Sequence, residues 1–98
     1  MINRSLLFSD DIYIILIMIK EELDIYTDEM FTTISNNVQK YRKLKNYSQL
    51  QLALDIGLTG NAFLSRAEKR VTNTHFNIEH LLKISKILKV DICDFFKD

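Results

Sequence analysis

Apolar residues are arranged in two ways along the chain. From Ile12 to Ile19 they run without interruption, Ile-Tyr-Ile-Ile-Leu-Ile-Met-Ile, whereas further on they recur at helical spacing. Phe31, Ile34, Val38 and Tyr41 fall at i, i+3, i+7 and i+10, which places them on one face of a helix. Arg42, Lys43 and Lys45 close its last turn, where cations suit the negative end of the helix dipole. In the helix that opens at Ile78, the spacing predicts Ile78, Leu81, Leu82, Ser85 and Leu88 as the inward stripe, with Lys83, Lys86 and Lys89 outward. The run at 12–19 has enough β-branched residues to suit a buried strand. Helix is favoured because Ser9-Asp10-Asp11 makes a good N-terminus and Lys20-Glu21-Glu22-Leu23 extends the segment.

Helix starts share one pattern, a polar cap preceded by an apolar residue that can pack on the residue five positions later. The pairs are Phe8 and Tyr13 around Ser9, Tyr47 and Leu52 around Ser48, and Leu58 and Phe63 around Thr59. Phe76 and Leu81 follow around Asn77, then Val90 and Phe95 around Asp91. Ser48 with Gln51 also fits the reciprocal capping box. With no proline and only Gly57 and Gly60, long irregular loops are disfavoured. The expectation is an all-α chain.

Composition narrows this further. Ninety-eight residues at 47% hydrophobic make one small domain with an appended element. A lone Cys93 cannot form an internal disulfide and is expected as a small core residue in a reducing compartment, so the cytoplasm is the expected location. Eight apolar residues fall well short of the roughly twenty a membrane span needs, and no basic leader or cleavage motif marks a signal peptide. The net charge of zero conceals a division. Residues 1–35 carry two basic against seven acidic side chains, net −5, and residues 36–98 carry eleven against six, net +5. A basic body with an acidic arm fits nucleic-acid binding.

Ser48 to Glu68 reads as a short helix, a glycine turn and a second short helix whose outer face carries small polar and basic side chains. That layout is a helix-turn-helix, which places its second helix in the DNA major groove. Ala53 is small where the helices approach, Gly57 can take positive φ to end the first of them, and Leu52, Leu58, Phe63 and Leu64 are expected in the core. From about Ile34 to Phe96 the chain resembles the Cro/repressor (XRE-type) helix-turn-helix family. The resemblance rests on Tyr41-Arg42, Ser48-Gln49, Leu52-Ala53, Gly57-Leu58 and Phe63-Leu64-Ser65-Arg66-x-Glu68, with Leu81-x-x-Ile84-Ser85-x-x-Leu88-x-Val90 and Asp94-Phe95-Phe96 closing the domain. It implies a five-helix DNA-binding domain over 34–98, preceded by an extra N-terminal helix in an arm over 1–33. Ala53 to Glu68 is one residue longer than the usual family spacing, the extra residue falling around Leu58–Gly60.

The resemblance implies a buried ion pair between Arg42 and Glu68, and a phosphate contact or buttress at Gln49. The DNA-facing candidates at the start and outer face of the recognition helix, placed at 60–69, are Gly60, Asn61, Ala62, Ser65, Arg66, Lys69 and Arg70. Asn can pair bidentately with adenine and Arg with guanine, while Gly60 and Ala62 allow close approach; which of Gly60, Asn61 and Ala62 leads into the groove stays open. Lys43, Lys45, Lys69 and Arg70 are the candidate backbone contacts. His75 and His80 have no cysteine cluster near them, so no metal site is expected. Neither a cofactor nor catalysis is expected, since no phosphate loop or nucleophile–base grouping is present. The apolar arm predicts a homodimer through Ile12, Ile15, Leu16 and Ile19. The expected function is a sequence-specific transcriptional regulator of double-stranded DNA, a repressor acting as a homodimer. The alternatives are an antitoxin or mobile-element regulator whose acidic arm binds a protein partner, and a protein-interaction module that has lost DNA binding.

Overall fold

The computed structural model describes residues 9–98. No glycine or proline precedes Gly57, and one helix, α1, runs unbroken from Ser9 to Leu44. The separate N-terminal helix and the helix expected to start near Phe31 are thus a single element. The boundary drawn between residues 33 and 34 falls inside it, where Thr32-Thr33 lowers helix propensity by only tenths of a kcal/mol each. At 1.5 Å per residue α1 is about 54 Å long, which accounts for extents of 62 × 24 × 18 Å. The radius of gyration is 18.8 Å, against about 13 Å for a compact chain of this length. Asp10 through Glu29 are exposed, so the first half of α1 is an arm and only its second half packs. The staple between Phe8 and Tyr13 lies outside the described residues.

Three further helices follow, α2 (Gln49–Asp55), α3 (Ala62–Lys69) and α4 (Ile78–Leu88), with 3₁₀ turns at Val71–Asn73 and Ile92–Phe96. The five helices and an extra one expected from the sequence are, among the described residues, four α-helices. The segment after Asp91 winds as a 3₁₀ turn instead, capped by the Asp91 side chain, which accepts the Cys93 N–H at 2.9 Å. This winding buries Phe95 completely, leaves Phe96 exposed, and also exposes Cys93, which is not the core residue expected.

Local chemistry explains the boundaries. α1 ends at Asn46, φ 62°, where Tyr47 N–H bonds Arg42 O and Asn46 N–H bonds Lys43 O, both at 3.0 Å. α2 ends the same way at Gly57, φ 92°, with Leu58 N–H on Ala53 O at 2.9 Å and Gly57 N–H on Leu54 O at 3.0 Å. Both are paired left-handed caps that satisfy the last carbonyls. Ser48 caps α2 as expected, its Oγ accepting the Gln51 N–H at 3.0 Å, but Gln51 turns forward to Asp55 rather than closing the box. Thr59 caps nothing; α3 starts after Asn61, whose side chain makes no capping bond. Asn77 caps α4 with a full box, its Oδ1 accepting His80 N–H at 2.8 Å while His80 Nδ1 accepts Asn77 N–H at 3.1 Å. Burial beside Phe63 and Phe76 pushes the His80 pKa below the ordinary 6.5.

The core joins Val38 of α1, Leu52 and Ala53 of α2, Leu64 and Ala67 of α3, and Phe95. From α4 come Leu81, Ile84 and Leu88, at i, i+3 and i+7. The stripe expected on α4 is therefore rotated: Ile84 is buried, whereas Ile78 and Leu82 face solvent. Leu58 and Phe63 are only half-buried against this core. Asn37 ties the C-terminal turn to α1, its Nδ2 donating to Phe95 O at 2.9 Å and Lys97 O at 2.7 Å.

Candidate nucleic-acid interface

An eight-residue helix cannot hold its own orientation, because isolated helices of that length are marginal in water. α3 is held from within by Leu64, Ala67 and Glu68, all buried. Glu68 takes two bonds from the Arg42 guanidinium, Nε to Oε2 at 2.7 Å and Nη2 to Oε1 at 2.9 Å. The third guanidinium nitrogen, Nη1, donates to Tyr47 O at 2.8 Å, and Gln49 Nε2 donates to Glu68 Oε1 at 3.0 Å. One planar fork thus joins the end of α1, the start of α2 and the inner face of α3. Such bidentate geometry is what arginine provides and lysine does not. Gln49 is accordingly a buttress of α3, the second of the two roles expected for it.

The opposite face of α3 is open. Asn61, Ala62, Arg66 and Lys69 are exposed, and Ser65 and Gly60 are half-buried. Gly60 has no positive φ and open space where a Cβ would sit, so its backbone does not require glycine. Six residues, 56–61, separate α2 from α3, and this stretch contains the positions where the extra residue was located. Lys43 and Lys45 are exposed at the end of α1.

Arg70 behaves differently from its expected role as a backbone contact. It caps α3 at φ 58° and turns inward, its side chain only 13% exposed. Nη2 pairs with the Asp28 carboxylate on α1, Nη1 donates to Thr74 O at 3.1 Å, and the guanidinium carbon lies 5.3 Å from the Phe31 ring centroid. His75 stacks on the same ring at 3.9 Å and 8°. Arg70 therefore fixes the loop after α3 to α1. Neither Asp28 nor Phe31 nor His75 carried a local signal for this cluster.

A family model described as helix-turn-helix matches residues 38–95, more than half of the chain. The chain belongs to the helix-turn-helix family. Its type is that of the Cro/repressor (XRE) regulators, a DNA-binding domain, which implies DNA as its partner. No curated protein and no solved structure matches the chain. The match begins at Val38, so the helix-turn-helix proper shares α1 with an arm that the family model does not cover. Among the described residues no group of three His, Cys, Asp or Glu could hold a metal ion, and no helix is long and apolar enough to cross a membrane.

Proposed function

We propose that this chain is a sequence-specific transcriptional repressor that binds a palindromic operator as a homodimer. The observation that carries the reading is the two-sidedness of α3: a buried Arg42–Glu68–Gln49 network on its inner face and free Asn61, Arg66 and Lys69 on its outer face. Arg66 and Asn61 have the donor and acceptor patterns that read guanine and adenine in the major groove. Ala62 and Gly60 let the backbone come close, Ser65 adds a short polar contact, and Lys43, Lys45 and Lys69 neutralise phosphates. Pairing through Ile12, Ile15, Leu16 and Ile19 supplies the second copy, with half-sites about 34 Å apart.

The test is retention on mixed-sequence duplex DNA over a salt series. Binding through several phosphates falls steeply with salt, with a log–log slope near −0.9 per phosphate neutralised, and Lys45→Ala should lower that slope by about one contact. Salt-independent retention, or none at low salt, would leave the protein-interaction reading in its place.

A further inference from the structure

We propose that Asp28, on the arm, is a positioning residue for DNA recognition: acting through Arg70, it holds the trailing end of α3 and the loop after it in the geometry that presents Arg66 and Lys69. The proposal rests on the reading that the outer face of α3 meets DNA, and it gives that face a support from the arm. Asp28 precedes Val38, where the family match begins, so this support is an addition to the helix-turn-helix proper.

The backbone around the end of α3 explains why a support is needed there. α3 has eight residues, and Asn61 makes no side-chain capping bond at its start. Beyond Lys69 the chain enters a conformation that L side chains rarely adopt: Arg70, Thr72 and Asn73 have φ of 58°, 52° and 58°. Asparagine tolerates the left-handed region, but a β-branched threonine is an outlier there and persists only where surrounding contacts enforce it.

Those contacts converge on one guanidinium. Arg70 Nη1 donates to Thr74 O at 3.1 Å and lies 3.5 Å from Asn73 O, while Nη2 pairs with Asp28. The guanidinium carbon is 5.3 Å from the Phe31 ring centroid, within cation–π range. His75 brings the far end of the loop back to the same ring, stacked at 3.9 Å, with its Nδ1 donating to Asn73 O at 3.1 Å. The Arg70 side chain is 13% exposed, and its Nε is buried with no partner among the described residues. The Asp28 carboxylate therefore supplies the charge that compensates a largely desolvated cation. Lys69 is the neighbour of Arg70 and Arg66 lies one turn before it, so a loop that slackens shifts the side chains set to meet DNA. Base readout depends on such placement, whereas attraction to phosphates tolerates its loss.

The experiment titrates wild type and Asp28→Ala against a duplex selected from a random library by the full-length wild type, and against random duplex, over a salt series. Position 28 is an exposed helix site, where alanine keeps α1 helical. Asp28→Ala should weaken binding to the selected duplex about threefold to tenfold. Random duplex should change by less than about twofold, with the salt slope unchanged. Added to Arg70→Ala, the substitution should cause no further loss, because Asp28 acts through Arg70. Unchanged affinity for the selected duplex overturns the proposal. Equal losses on both duplexes also overturn it, since they mark a contact that serves folding alone. A steeper salt slope with tighter binding to random duplex overturns it as well, because Asp28 then masks a phosphate contact at Arg70. A further loss in the double variant overturns the route through Arg70. A wild type that selects no duplex overturns the reading of α3 on which the proposal rests.

Discussion

Replacing Glu68 by alanine removes the one carboxylate that pairs with Arg42 among the described residues and leaves a guanidinium that is 8% exposed with its Nε and Nη2 unsatisfied. Gln49 Nε2 loses its acceptor in the same step. Breaking a buried pair from one side costs about 3–5 kcal/mol, because the remaining charge stays desolvated without compensation. A small domain has on the order of 5–15 kcal/mol in total, so the variant should lose a large part of its stability. Arg42→Met should cost about as much, since Tyr47 O then loses its donor along with the pair. The double variant R42M/E68A removes both charges together and should be less destabilised than the two single losses added together, with a coupling of about 0.5–3 kcal/mol. The assay is urea unfolding of all four proteins, read as midpoint shifts at constant slope. A Glu68→Ala loss under about 1 kcal/mol, the size of an exposed pair, would refute the role given to this network, as would strict additivity in the cycle.

Gly57→Ala meets no atom within 4 Å but places a side chain at φ 92°, so it should cost about 1–3 kcal/mol through backbone strain alone, measurable by the same denaturation. Asn37→Ala frees the Phe95 and Lys97 carbonyls and should cost about 1–2 kcal/mol; an unchanged midpoint would show that the C-terminal turn is held by Phe95 alone. The His80 pKa lies below 6.5 because burial disfavours its charged form, and its Nδ1 must be unprotonated to accept the Asn77 N–H. Below pH 6.5 the unfolded chain binds the extra proton and the native one resists it. His80 therefore contributes fully above that pH, and its contribution is lost as pH falls from there toward the lowered native value. His80→Gln, which keeps a capping acceptor, should flatten that part of the Tm–pH curve, and an unchanged curve would remove His80 as its source.

The features legible in the sequence are those whose chemistry is local. Ser48 and Asn77 cap because their oxygens reach an N–H three residues on, and Gly57 ends α2 because the turn needs positive φ. The Arg42–Glu68 pair was legible only through the family resemblance, as its partners are 26 residues apart. α3 starts after Asn61 and not at Thr59, and since Asn61 makes no side-chain capping bond, no local signal marked that start. The unbroken α1 was hidden because its first half opens on an uninterrupted apolar run while its second half repeats at helical spacing. One half is buried within this chain, and the other is exposed for its whole length. On α4, Ile78 and Ile84 lie six residues apart, roughly 120° from each other around the helix; stripes through either share Leu81 and Leu88, and packing selects the one that puts Ile84 inside. The Asp28–Arg70 contact spans 42 residues and has no pattern at either end.

The central claim is that the outer face of α3 reads DNA, and it is tested most directly by the base contacts themselves. Duplexes selected from a random library by the full-length protein provide the cognate site, against which wild type, Arg66→Ala and Asn61→Ala are titrated at fixed salt. Each variant should lose about 1–3 kcal/mol on the selected duplex, about 5- to 150-fold in Kd, and relax the preference at one base pair, with little change on random duplex. Wild-type affinity and an unchanged selected sequence for both variants would contradict the account and take α3 out of the interface.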